Sequence, residues 1–523
     1  MSRSISARPI VVGAGLSGLV AALRLAQRGL RPILLEADSR VGGRLGNETA
    51  VTFTHQGRDW TFPQEHGVHG LWQSYVNLKG LLTELDLAPR YIPAHDETWI
   101  LGEQDRVRRV KIGRHIRTSF IPAPFHYLRL FLKPSFLAVL NIHDWASLFR
   151  VSGALFAAMS IDPLAEQKAL HGLSLADLTA GWSPHMRALF TGLARNALAA
   201  EAEEIPAAGF IAFLRFYTLL RRDAWGFDFL PAGGGEAICQ PLAERLQALG
   251  GQIVLNCRVA QLDRIEPTGG VGNGGWLVTA VSNEGDTITY TSRDLVLALD
   301  APAAQRLLQD SPDTAVVAAT SYFPPGVATA IVRLWYAGQP QARVSESGMF
   351  SGQFVVHNFF WLHQLQEAYR AWAAATGGSA VEMHIYGSPD LLAQSDAALL
   401  ATAIADANRA FPELRQQRLH AHLQRNPPTH TLFALGTAEQ NIAVKTAWPG
   451  LYACGDWVYD PIPALYLERA TTTAMIAANH ILVSRGCEPF GVQPHPAPEP
   501  FAGWVARRWY GLRRWYKTLK VAG

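Results

Sequence analysis

The sequence predicts an α/β architecture in which a nucleotide-binding domain is interleaved with an α+β domain. Three observations lead there. Near the N-terminus a short apolar strand runs into a glycine-rich turn and then an alanine- and leucine-rich helix. Between Asp228 and Asp300 a second glycine cluster, a helix and a run of strand signals return the chain to the first domain. Late in the chain a strand closes on Gly455-Asp456 and a long helix follows.

Size and composition allow such an arrangement and exclude several others. The 523 residues suit two to four domains, or two large interleaved ones. Hydrophobic residues make up 49% and charged residues only 17%, so disordered and fibrous classes are excluded. Four cysteines without C-x-x-C spacing (Cys239, Cys257, Cys454, Cys487) exclude a disulfide framework and a cysteine-based metal site. No secretory signal is visible before Pro9. The longest uncharged apolar run, Val151 to Ile161, is too short for a bilayer, so a spanning helix is not expected. The net charge of +3 is uneven: residues 501–523 hold six basic residues and no acidic one, which leaves 40 basic against 43 acidic elsewhere. That distribution gives no support to nucleic-acid binding.

The first element is the strand Pro9 to Val12. Gly13-Ala14-Gly15-Leu16-Ser17-Gly18 fits G-x-G-x-x-G and opens a helix through Leu19 to Arg28, with Gly29 closing it. A second strand, Pro32 to Leu35, ends in Glu36. Strand, glycine turn, helix and acidic strand end together mark a Rossmann-like dinucleotide site. Gly13 permits the tight turn, Gly15 the approach of a pyrophosphate, and Gly18 close helix packing. The first residues of the helix, Leu16 and Ser17, place its N-terminus at the phosphates. Glu36 is the expected acceptor for ribose hydroxyls.

Further along, Glu65-His66-Gly67-Val68-His69 leads into an amphipathic helix reaching about Leu87. His66 and His69 lack a third ligand nearby, and no metal is expected. Residues 120–160 are rich in aromatics with interleaved Arg129, Lys133 and Arg150. They read equally as a buried helical subdomain or as a patch dipping into lipid. An apolar helix is expected over 207–220 and another after Gly233-Gly234-Gly235, up to Leu249. The strand Gln252 to Asn256 is expected to continue through Val259, which faces the cofactor, and further strands to end at Leu299. Strands at 328–336 and 380–386 and a helix over 395–411 form a second sheet, the roof of a substrate cavity. The strand Gly450 to Val458 and a helix from Leu467 to Leu482 close the body. The expected domains are 1–90, 225–302 and 425–485 for the cofactor, 91–224 and 303–424 for the substrate, and a basic aromatic tail at 486–523.

Ser39-Arg40-Val41-Gly42-Gly43-Arg44, the Gly455-Asp456 strand end and Leu467-Glu468-Arg469-Ala470-Thr471-Thr472 together resemble flavoproteins of the amine oxidase and carotenoid desaturase superfamily. The likeness runs from about residue 8 to 482. It is strongest to the ζ-carotene desaturase and ring-aromatising isorenieratene synthase types, on Gly455-Asp456-Trp457-Val458 and Thr376 to His384. Glu65-His66 replaces the Asp-Arg type of pair expected before Gly67. The resemblance implies FAD, with Gly42, Gly43 and Arg44 along its pyrophosphate and Gly455 and Asp456 at its ribityl chain. It implies a lipophilic carotenoid substrate that is desaturated and, in the ring-modifying type, aromatised with methyl migration. Candidate bases or cation stabilisers are Glu65, His69 and Glu468. An electron acceptor such as quinone or O2 is implied, as is a peripheral position on the cytoplasmic side of a membrane. The tail, where Trp504, Trp509, Tyr510, Trp515 and Tyr516 alternate with cations, is the expected anchor. Alternatives are a flavin amine oxidase and a redox-neutral carotenoid isomerase.

Overall fold

A computed structural model of the chain describes residues 6–46, 49–104, 106–166, 170–266, 274–433 and 439–521, without the side chains of Thr49 and of 515–521. Its centre is a five-stranded parallel sheet with the order Gln252–Val254, Ile33–Leu35, Ile10–Val12, Leu295–Leu297, Leu451–Ala453. Ile10 sits in register with both Ile33 and Leu295. The four inner and C-terminal strands are fully buried, which is why their sequences are unbroken apolar runs. The helix Leu16–Gln27 packs between the helices Gln240–Ala248 and Tyr466–Ser484. Thus the N-terminal, middle and late segments converge on one sheet, as the interleaved reading expects.

Strand Gln252–Val254 does not continue to Val259. The chain turns at Asn256 (φ 54°), and a second strand, Cys257–Ile265, joins Gly275–Ser282 and Thr287–Ser292 in an antiparallel sheet. Asparagine tolerates this left-handed conformation, and the Asn256 N–H donates to the Asp38 carbonyl at 2.9 Å. The apolar segment after Pro206 is also divided, into an α-helix over Ala207–Leu214 and a π-helical turn over Arg215–Leu219. The late strand ends at Ala453, short of Val458, because Gly455 takes φ 146°. A hairpin, Thr49–His55 and Arg58–Gln64, turns through Gln56 and Gly57, both at positive φ.

The second large sheet has seven strands in the order Arg418–Thr431, Gly326–Tyr336, Ser379–Tyr386, Asn358–Trp361, Ser347–Gly352, Glu97–Gly102, Val107–Lys111. Strand Arg418–Thr431 runs through the boundary expected at 424/425. Every residue of Ser379–Tyr386 is buried, although Glu382 and His384 are among them. Glu382 lies opposite Arg333 on the neighbouring strand, and the two form an ion pair at 2.7 Å with side chains 2% exposed. Arg333 also donates to Gln424 Oε1 (2.8 Å) and to the Glu65 carbonyl (2.9 Å). Glu382 accepts from the Val68 N–H at 2.6 Å. The pair therefore fastens the segment Glu65–Val68 under the sheet. Burial pushes the Glu382 carboxyl up, but Arg333, His384 and the Val68 N–H outweigh it and bring it down to about 2.

Because the pair is dry, removing one partner strands the other. Arg333→Leu is expected to destabilise the chain by about 3–5 kcal/mol in urea unfolding, and Arg333→Leu with Glu382→Leu to recover part of that loss. Equal destabilisation by the single and double variants would show that the charge pairing is not what holds the segment.

Candidate functional site

The glycine turn lies at the C-terminal end of the central parallel strands. A Cβ on Gly18 would fall 1.8 Å from the Gly13 carbonyl oxygen, so the helix can sit on the turn only with glycine there. Gly15 differs. Its φ of −70° suits any residue and a Cβ would meet nothing within 4 Å, so the fold itself does not require glycine. Leu16 and Ser17 begin the helix and are buried, and no side chain caps its N-terminus. The second glycine stretch folds onto this turn: the Gly42 N–H donates to the Ala14 carbonyl at 2.8 Å, and Gly42 bridges Gly15. Gly42 has φ 119°, and a Cβ on Gly43 would lie 3.3 Å from Gly15 Cα. The result is an open cradle with backbone N–H groups and a helix N-terminus on its wall, which fits a pyrophosphate.

Glu36 accepts from the N–H groups of Ala14 (2.5 Å) and Asp38 (2.9 Å). Burial pushes its carboxyl up. Val259 lies on the strand that starts where the Cys257 N–H donates to the Glu36 carbonyl at 2.8 Å. The strand that carries Val259 thus starts beside Glu36. A cavity of about 480 Å³, lined by Ser39, Arg40, Val41, Gly235, Glu236 and Gln240 among others, opens beside it.

At the other end, Arg44 and Asp456 meet at 2.9 Å. Asp456 also accepts from Thr431 Oγ1 at 3.0 Å. Burial raises the Asp456 carboxyl, but Arg44 and Thr431 overcome it and hold it below its ordinary value. His430 lies beside them. Burial, then Arg44, brings it down to about 4, so it is neutral, and its Nε2 has no hydrogen-bond partner among the described residues. Gly455 is pinned to the long helix: its N–H donates to Thr473 Oγ1 at 3.0 Å, and its carbonyl accepts from that hydroxyl at 3.1 Å. Tyr466, at φ 50°, starts the helix. A cradle, an ion pair partly turned toward it and an orphaned imidazole fit a long anionic cofactor of the FAD type.

The three candidate acid–base residues separate. Glu65 and His69 come together (Oε2 to Nδ1 3.3 Å), and Glu65 also accepts from the Gly234 N–H at 2.9 Å and Gln366 Nε2 at 3.2 Å. Glu468, fully buried, caps another helix: it accepts from the N–H groups of Asn77 (2.8 Å) and Leu78 (3.0 Å) and from Asn77 Nδ2 (3.0 Å). Sequence reading missed Arg469, which binds the carbonyls of Val458, Asp460, Ile462 and Ala464 and so shapes the proline loop. It also missed Thr431, His430 and the buried polar residues of Ser379–Tyr386. The signal for the last was available: Glu382, His384 and Tyr386 recur at period two in an otherwise apolar strand. Among the described residues no group of three or more His, Cys, Asp or Glu side chains could hold a metal ion.

The chain matches the family described as flavin containing amine oxidoreductase over residues 16–482. It is 26% identical over 487 residues to a carotenoid phi-ring synthase of Streptomyces griseus, covering 90% of this chain and 87% of that one. It is 27% identical over 324 residues to a probable zeta-carotene desaturase of Synechococcus elongatus, covering 58% and 60%. Cyclohexylamine oxidase from Brevibacterium oxydans has a similar fold, with a TM-score of 0.63 at 16% identity over 92% of this chain and 99% of that one. A redesigned putrescine oxidase gives 0.64 at 15% identity, over 91% and 99%.

Gly15→Val should leave the melting temperature near wild type, since a Cβ there has open space around it, yet abolish the visible flavin absorbance of the purified protein. Asp456→Ala should weaken FAD retention by about 1.5–3 kcal/mol, the value of a hydrogen bond to a charged group. Both are read by flavin absorbance after gel filtration; a Gly15→Val protein that keeps its flavin would show the cradle to be empty space.

Proposed function

Since the chain belongs to the flavin-containing amine oxidoreductase family and is an FAD-dependent oxidoreductase, we propose that it desaturates a carotenoid and converts a β-ring to an aromatic ring with methyl migration. The observation that carries this reading is the nearly end-to-end likeness to a carotenoid phi-ring synthase. In the proposed reaction Gly13, Gly15, Leu16, Ser17, Gly18, Gly42 and Gly43 hold the pyrophosphate, with Glu36 and Val259 at the ribose end. Arg44, Gly455 and Asp456 hold the part nearer the ring system. Bound FAD supplies the hydride acceptor. A polyene carries no acidic proton at the bond to be oxidised, so the protein's task is to align the chain, exclude water and take a proton once positive charge has formed. In this reading Glu65 and His69, joined to each other beneath the seven-stranded sheet, steady that charge. Glu468 contributes by fixing the helix Val76–Glu84. Electrons leave to a quinone or O2.

A substrate dissolved in lipid calls for a lipid-facing surface. No helix among the described residues is long and apolar enough to cross a membrane. The helix Ile142–Ser160 and the segment before it instead expose Phe120, Leu132, Ile142 and Phe149, the last 88% exposed. Among the described side chains, the tail helix Pro500–Val521 packs against this same helix: the Trp509 and Phe156 ring centroids lie 5.3 Å apart, and Arg513 donates to the Ser160 carbonyl at 3.0 Å. Trp515, Tyr516, Lys517 and Lys520 lie outside the described side chains. The two candidate anchors of the sequence are therefore one surface, and we assign it to the membrane.

Expression in a bacterium that makes β-carotene should yield pigment that has lost hydrogens in pairs at constant carbon count. Unchanged mass with altered geometry would favour an isomerase, and flavin reduction by amines alone an amine oxidase. Phe149→Asp with Ile142→Asp should lower cosedimentation with anionic liposomes several-fold without lowering the melting temperature, because both side chains are already in water. Undiminished binding would move the contact elsewhere.

A further inference from the structure

Glu382, His384 and Tyr386 sit at alternate positions of one strand and share one face of it. Their side chains are joined in a line. His384 Nε2 lies 2.7 Å from Glu382 Oε1, and His384 Nδ1 lies 2.6 Å from the Tyr386 hydroxyl. Glu382 is ionised and paired with Arg333, so Nε2 carries the proton it donates there. Nδ1 is then the acceptor, and the phenol donates to it. The Tyr386 oxygen accepts in turn from Asn358 Nδ2 at 3.1 Å, which leaves it one lone pair. Asn358 is held by Asn196 at 2.7 Å, and the Tyr386 ring stacks on His357. His384 is packed from below by Gly67, where a Cβ would come within 2.8 Å of its ring.

The line has a direction. Exposure rises from 1% at Glu382 to 4% at His384 and 9% at Tyr386, so the phenol is the least buried end of the line. That end leads toward the Asp456 side of the molecule: Asn358, which donates to the phenol oxygen, also donates to Asn196, the neighbouring Ala197 carbonyl accepts from the Tyr466 hydroxyl, and the Tyr466 ring lies 5.7 Å from that of His430. Carboxylate, imidazole and hydroxyl in this order form the arrangement that activates a hydroxyl oxygen as a proton acceptor.

We propose that Tyr386 is the catalytic base of the reaction, with His384 and Glu382 as its positioning residues. This deepens the carotenoid desaturase reading and rests on it. After hydride has left the substrate, a C–H bond next to the cationic carbon breaks. Its electron pair becomes the new double bond, its proton goes to the Tyr386 oxygen, and the phenolic proton moves to His384 Nδ1. The imidazolium is held by the Glu382 carboxylate until the proton returns to solvent. No charge is created or lost, and no further reactant is needed.

The test uses flavin-loaded full-length protein on lipid vesicles containing β-carotene, with oxygen excluded and oxygen-18 water as solvent. Wild type should bleach its flavin and release desaturated pigment. Tyr386→Phe, which keeps the ring, and His384→Gln should still bleach the flavin but form desaturated pigment about 100-fold more slowly, the lower end of what a positioned base contributes. The stranded cation is then captured by water, giving pigment heavier than substrate by one labelled oxygen. A residue that only supports the fold would not redirect the product in this way. Desaturated pigment at the wild-type rate in both variants overturns the proposal, as does loss of bleaching without labelled pigment in flavin-replete Tyr386→Phe. Wild type that never bleaches with β-carotene overturns the desaturase reading and the relay with it.

Discussion

The buried Arg333–Glu382 pair is the constraint on which the arrangement of the site depends. Two charges with side chains 2% exposed persist only if every hydrogen-bonding group around them is used. Here the guanidinium takes Glu382, Gln424 and the Glu65 carbonyl, while the carboxylate takes Arg333, His384 and the Val68 N–H. The pair therefore joins two strands of the large sheet to a segment some 300 residues away, 314 between Val68 and Glu382. It also sets the tautomer of His384. Packing of the large sheet, placement of Glu65–His69 and proton polarity along Ser379–Tyr386 follow from one satisfied ion pair.

The cofactor end is built on the opposite principle. Around Gly15 and Gly43 the backbone approaches itself closely but leaves open space in front, and the helix N-terminus has no side-chain cap. Polar groups left unsatisfied by the fold are what an anionic ligand can satisfy. Arg44 and Asp456 meet each other in this structure, which keeps two charges compensated at the junction between the cradle and the long helix.

The large apolar surface around Phe149 adds a third theme. Helix Ile142–Ser160 buries Val151, Ala158 and Met159, receives Trp509 of the tail on Phe156, and leaves Ile142, Trp145 and Phe149 in contact with solvent. The tail helix thus packs on the same helix that carries this exposed apolar face.

The sequence by itself determined what rests on local periodicity and backbone chemistry. The strand–glycine–helix unit, the middle and late returns to one parallel sheet, and the Gly13-to-Gly18 cradle were legible because apolar runs and glycines act on their immediate neighbours. The break at Asn256 was less so, because a single residue at φ 54° moves the following strand into another sheet. What only the tertiary structure decided is which polar side chains meet. Arg44 and Asp456 are 412 residues apart, Glu468 and Asn77 391, and nothing in either local pattern marks them as partners. Glu468 and Glu65 read alike as candidate bases or cation stabilisers, yet one caps a helix and the other holds His69 and the Gly234 turn. Buried charge is tolerated only where distant segments bring it a partner, so those pairings exist once the chain is folded and not before.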